Sequence, residues 1–119
     1  MLNLDTHVLL HAVGGKLTAR EERLLRANRW SISAIVLWEI AKLAQLKRIN
    51  IDLDDAEVAR VLAALHIWPI TVEIAKLSTQ LDMHVDPADE LIAATSVVHH
   101  VPLLTRDKKL LSSKRVLLA

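Results

Sequence analysis

The chain has 119 residues, 52% of them hydrophobic, and a formal net charge of +1, which favours a single domain over 1–119 and excludes a strongly basic nucleic-acid wrapper. Any contact with nucleic acid has to come from a local basic patch or through metal ions. There is no cysteine, so disulfides and thiolate chemistry are excluded; with no leader of basic then apolar residues, and no apolar run long enough to span a bilayer, a cytoplasmic location is expected.

Residues 2–4 read as a short buried strand, followed by a helix over 6–13 and a turn at Gly14-Gly15, the only glycines. Thr18 is placed to cap a second helix running to about residue 28, with Glu21 at the capping-box position. Residues 30–33 read as strand two and 34–46 as a helix of good formers. Asp52 or Asp54 is expected to cap the next helix, which carries Val58, Val61, Leu62 and Leu65 at helical spacing. A third strand is expected over 67–70, with Pro69 arguing for an edge position. Thr71 opens a helix to about residue 81. Asp86-Pro87 opens another, with proline in its favoured first position and Leu91, Ile92, Ala94, Val97 and Val98 along it. Strand four is expected over 102–105 and a fifth over 115–118. Strands alternating with helices predict an α/β domain with a mainly parallel sheet.

Four acids fall where a strand ends or a helix begins: Asp5, Glu39, Asp89 and Asp107. In an open α/β sheet, ligands bind in the crevice beyond the carboxyl ends of the strands, so all four can face one rim. Carboxylates brought together repel unless a cation neutralises them, and an all-oxygen site suits Mg²⁺ or Mn²⁺. Each acid also has a plainer reading. Asp5 could cap the helix from residue 6 and Asp107 the segment 108–111. Asp89 could close a capping box with Asp86. Glu39 could pair with Lys42, although Ile35, Val36 and Leu43 surround it on the helix and an ionised carboxylate among apolar groups is costly unless paired or metal-bound.

His7 and His11 stand at i and i+4, a spacing that can chelate zinc, but no third soft or imidazole ligand accompanies them. His99-His100 end a helix, where positive charge is favoured. Trp30, Trp38 and Trp68 read as core or interface. Lys42, Lys47, Arg48, Arg106, Lys108 and Lys109 could grip phosphates near the rim or form ordinary solvated surface. The apolar surplus, including Leu37, Trp38, Leu46 and Trp68, suggests a face for a protein partner.

Together these residues resemble the PIN-domain ribonucleases, in particular the VapC-like toxins of bacterial toxin–antitoxin pairs. Four blocks carry the resemblance in the family's order: Leu4-Asp5-Thr6-His7-Val8-Leu9-Leu10, Ser33-Ala34-Ile35-Val36-Leu37-Trp38-Glu39-Ile40-Ala41, Asp86-Pro87-Ala88-Asp89-Glu90-Leu91-Ile92-Ala93-Ala94, and Leu103-Leu104-Thr105-Arg106-Asp107. The resemblance implies a three-layer α/β/α fold, a divalent-metal endoribonuclease acting on RNA, a homodimer and a cognate antitoxin. By motif position Asp5, Glu39, Asp89 and Asp107 match the family's metal-binding acids. Thr105 matches a supporting hydroxyl, Asp86 a secondary acid, and Thr6 stands beside Asp5 in the first block. Two departures bear on substrate choice and activity: Ala88 replaces an aromatic and Glu90 an arginine. His11 also stands where a tryptophan is common. Phosphoryl transfer to an aspartate is disfavoured, because Asp5 is followed by Thr6 and His7 rather than by a second acid. A PIN-like module that binds RNA or protein without cutting is the alternative outside catalysis.

Overall fold

Four short parallel strands form the centre of the computed structural model, which describes residues 1–119. The chain runs β1 (Leu2–Leu4), α1 (Thr6–Gly14), α2 (Ala19–Ala27), β2 (Trp30–Ser33), α3 (Ala34–Gln45), α4 (Ala56–Ala64), β3 (His66–Trp68), α5 (Val72–Ser78), α6 (Pro87–His99), β4 (Leu103–Leu104) and α7 (Lys108–Leu111). The sheet order is β3-β2-β1-β4 and every pairing is parallel. Successive strands therefore step outward from β1 to β3, and the chain then crosses back to place β4 on the other side of β1. The reversal opens a crevice beyond the carboxyl ends of β1 and β4, where ligands of such sheets sit.

The core forms where β1, α1, β2, α3, α6 and β4 meet. Leu4, Val8, Ile32, Val36 and Ile92 are fully buried within it. The one polar residue inside β1, Asn3, is also fully buried. Its amide Nδ2 donates to the Ile92 carbonyl at 3.2 Å and to Ser96 Oγ at 2.9 Å. The sheet thus fastens α6 at a fixed height, because Asn3 would otherwise carry an unsatisfied donor into the interior.

Helix ends follow local chemistry. The Thr18–Glu21 capping box forms in both directions. Gly15, at φ 71, closes α1 in the left-handed region that glycine adopts without strain. At α3 that position falls to Lys47, at φ 58; the Arg48 amide donates to the Leu43 carbonyl and the Lys47 amide to that of Ala44, a Schellman closure.

Several expectations shift. Neither Asp52 nor Asp54 caps α4: Asp55 does, accepting from the Glu57 and Val58 amides, while Asp52 turns back on the Asp54 amide. The third strand is His66–Trp68, beginning one residue and ending two residues earlier than expected; it ends there because Pro69 lacks the amide that would extend the ladder. It does lie at the sheet edge. Helix α5 stops at Ser78 instead of continuing to 81, with Thr79 closing it. The fifth strand reduces to a single parallel bridge between Leu103 and Leu118, because β4 is only two residues long and offers little ladder.

Candidate active site

The carboxyl ends of β1 and β4 are in register, with Leu4 opposite Leu104. One residue further on, Asp5 and Thr105 are therefore neighbours, and Thr105 Oγ1 donates to Asp5 Oδ2 at 2.6 Å. Asp5 Oδ1 accepts from the Thr6 amide at 2.7 Å, which makes Asp5 the cap of α1. Thr6 Oγ1 in turn donates to Glu39 Oε1 at 2.6 Å. A continuous line of bonds, Thr105 to Asp5 to Thr6 to Glu39, joins the ends of β4 and β1 to the second turn of α3. Asp5 is 2% exposed.

Asp107 is linked to the same line, since its amide donates to Thr105 Oγ1 at 3.0 Å. Its Oδ1 caps α7 by accepting from the Lys109 and Leu110 amides. Its Oδ2 takes no protein hydrogen bond. Asp5 and Asp107 thus do serve as helix caps, and each caps a helix that starts at the rim.

Asp89 is the third residue of α6. The capping box expected with Asp86 does not form, and Asp86 makes no side-chain cap bond. Glu39 does not pair with Lys42, which donates to Gln45. The molecule's two ion pairs use Glu22 and Glu21. Asp5, Glu39, Asp86, Asp89 and Asp107 therefore have no Lys or Arg partner.

The electrostatics follow. Burial first, and then the charges of Asp5, Glu39, Asp107 and Asp86, push the Asp89 carboxyl up to about 7. Glu39 is also raised, by burial above all and with the charges of Asp5 and Asp86 adding to it, while its bond from Thr6 and the nearby His7 pull it down. Asp89 thus senses four other acids, drawn from the ends of β1 and β4, from α3 and from the start of α6, and the donor set is all oxygen. No three His, Asp or Glu side chains stand close enough to enclose an ion without moving.

Arg106, expected to be free for phosphate, is engaged elsewhere. Its Nε and Nη2 grip the two Glu21 carboxylate oxygens at 2.8 and 2.6 Å, and Nη2 also donates to the Lys16 carbonyl at 3.0 Å. This fork clamps the loop between Thr105 and Asp107 to the start of α2. Sequence reasoning missed both the clamp and Asn3. A polar residue at the centre of an otherwise apolar strand was the available signal for Asn3; nothing local pairs residues 21 and 106.

Trp38 is 57% exposed, consistent with an interface residue. Trp30 donates to the Leu25 carbonyl. Trp68 stacks on His99 with ring centroids 4.0 Å apart, so His99 packs within the fold as well as ending α6. His7 and His11 gain no third ligand. No helix is long and apolar enough to cross a membrane.

The fold has known counterparts. The family model described as PIN domain matches residues 3–115, and the chain belongs to that family. PIN domains are generally nucleases. Comparison with curated protein sequences gives no match. Among solved structures, the chain is similar to one in a toxin–antitoxin complex from Klebsiella pneumoniae, with 20% identity, a TM-score of 0.74, and 100% of this chain and 97% of that one covered. It is also similar to a chain of VapBC2 from Rickettsia felis bound to a DNA fragment from their promoter, with 18% identity, a TM-score of 0.76, and 100% and 98% covered. A chain of FitAcB from Neisseria gonorrhoeae gives 22% identity, a TM-score of 0.72, and 99% and 96% covered. At these identities the likeness establishes the fold.

Proposed function

We propose that the protein is a divalent-metal-dependent endoribonuclease and the toxin of a toxin–antitoxin pair, hydrolysing RNA phosphodiester bonds. The observation that carries this reading is the set of five carboxylates, Asp5, Glu39, Asp86, Asp89 and Asp107, none of which has a Lys or Arg partner. Asp5, Asp89 and Asp107 would hold Mg²⁺ or Mn²⁺, with Glu39 helping directly or through water and Asp86 as a secondary acid. The fit rests on the free oxygens of Asp89 and Asp107 and on mutual repulsion that a cation would relieve. When bound, such an ion lowers the pKa of water and stabilises charge developing on the phosphoryl group. Thr105 orients Asp5 by donating to Oδ2, and Thr6 orients Glu39 by donating to Oε1. Asp89, whose carboxyl is pushed up to about 7 in the metal-free chain, would release any proton it holds on binding the ion.

The test is RNA cleavage in Mn²⁺ or Mg²⁺, in EDTA, and with Asp5→Asn and Asp89→Asn. Activity that survives chelation, or survives both substitutions, defeats the reading. The similar chains come from toxin–antitoxin complexes, and that supports an antitoxin as partner. Exposed Trp38, Leu46 and Val72 provide apolar surface for it or for a second copy. Light scattering on the isolated chain should show a dimer; a monodisperse monomer removes the self-association half.

A second reading, a module that binds without cutting, is favoured by Glu90, an acid in the first turn of α6 directly after Asp89. Metal-dependent RNA binding without turnover would select it.

A further inference from the structure

We propose that the open groove between the carboxyl-terminal ends of α1 and α3 binds the phosphodiester backbone of the single-stranded RNA presented to the acid rim. The proposal rests on the nuclease reading and extends it to residues outside the acid set. His7, His11 and Lys16 line one wall of the groove; Leu43, Arg48 and Asn50 line the other, and no Asp or Glu lines it at all. Two cations and two imidazoles thus face the groove with no acid among its lining residues.

His7 stands between the groove and the rim. It lines the groove and also acts on the charge of Glu39. Leu43 lies one helical turn, about 5.4 Å, beyond Glu39 on α3, and His11 one turn beyond His7 on α1. Lys16 and Arg48 occupy equivalent places, each directly after the left-handed residue that closes its helix, Gly15 for α1 and Lys47 for α3. Cations at those places would complement the helix dipoles in any protein. Two further facts go beyond that. Both stand on one groove, and neither belongs to the two ion pairs, which use Arg26 and Arg106. Arg106 and Lys42 are held by Glu21 and Gln45, whereas the side chains of Lys16 and Arg48 enter no hydrogen bond or ion pair.

The need for them is electrostatic. A polyanion approaching five carboxylates is repelled until cations offset the field, and flanking Lys and Arg contacts release counterions from the strand. The imidazoles and Asn50 add hydrogen-bond donors for phosphate oxygens and base edges. An acidic protein segment would satisfy the same cations; RNA is the occupant favoured here because the acids near His7 are the proposed place of its cleavage.

Binding of a fluorescein-labelled single-stranded RNA is measured by anisotropy in EDTA against salt, with cleavage in Mn²⁺ followed in parallel. Lys16→Glu/Arg48→Glu should weaken binding about tenfold or more and make the salt slope shallower by about 1.4, the loss of two phosphate contacts. The neutral pair Lys16→Gln/Arg48→Gln should show a smaller loss in the same direction and guards against misfolding in the first. The charge-matched control Lys76→Glu/Lys114→Glu, remote from the groove, should leave binding within twofold. Equal losses in groove and control variants overturn the proposal, as does wild-type RNA affinity in the groove variants combined with lost binding of polyglutamate, which assigns the groove to an acidic protein. Groove-dependent binding with no cleavage leaves the groove standing and removes the nuclease reading; cleavage indifferent to the groove does the reverse.

Discussion

Glu21 and Asp89 are both acids inside the first turn of a helix, and the fold treats them in opposite ways. Glu21 is 5% exposed and accepts from Arg106 Nε and Nη2 and from the Thr18 amide. The Arg106 fork holds its carboxyl down at about 2 even though burial pushes the other way. Asp89 has no such partner; burial and four neighbouring carboxylates lift it to about 7. An acid held with its counter-charge fastens structure, here the Thr105–Asp107 loop to α2. An acid held without one leaves the folded chain carrying repulsion that only a proton or an external cation relieves. That is the pattern expected where binding a cation is the purpose, since perturbed carboxyls cluster at functional sites.

The largest effect should come from removing the uncompensated acids. Asp5→Asn and Asp89→Asn should each lower RNA cleavage about a hundredfold or more, the scale of losing preorganised charge at a reacting phosphoryl group. Stability should move the other way. Without metal, Asp89→Asn should melt above the wild type at pH 8, because the substitution deletes a repelled charge. Mn²⁺ should raise the wild-type Tm and raise that of Asp89→Asn much less. A metal-free Asp89→Asn that melts lower than the wild type would break the comparison with Glu21.

The compensated acid should behave as a fastener. Glu21→Ala removes a charged fork and half of a capping box, and should cost about 2 kcal/mol in chemical unfolding. Its effect on cleavage should be smaller than that of Asp89→Asn and should follow the fraction folded. An activity loss that exceeds the stability loss would show that the clamp also sets the position of Asp107.

Much of this contrast was readable before the structure, but unevenly. The positions of Asp5 and Asp107 follow from strand ends, and those ends were marked by apolar runs leading into Asp-Thr and Thr-Arg-Asp. The Thr18–Glu21 capping box was readable because both partners lie within one turn. Arg106 looked like a phosphate ligand because its partner is 85 residues away, a separation no local pattern encodes. The switch between β1 and β4 was equally hidden. Alternating strands and helices specify parallel pairing, whereas the order β3-β2-β1-β4 depends on where the final crossover lands. The cap of α4 was misplaced by one to three residues because Asp52, Asp54 and Asp55 offer the same side chain, and only packing selects among them. The fifth strand failed for a related reason: residues 115–118 have strand-like composition, but β4 provides two residues to pair with.

The finest test is the shape of stability against pH, where the two acids should give slopes of opposite sign. Glu21 is depressed from 4.5 to about 2. Its contribution is complete above about 4.5 and is lost as pH falls toward 2, since the unfolded chain takes up that proton first. Asp89 is raised from 3.8 to about 7. Between those values the folded chain binds more protons than the unfolded one, so metal-free stability should fall as pH climbs from about 4 to 7. Urea unfolding across pH 3 to 8 should therefore show Glu21→Gln flattening the acid limb and Asp89→Asn flattening the neutral limb. Saturating Mn²⁺ should also flatten the neutral limb of the wild type, because the ion takes the place of the proton. A neutral limb that persists in Asp89→Asn would place the repulsion on another member of the rim, with Glu39, raised by burial and by Asp5 and Asp86, the next to substitute.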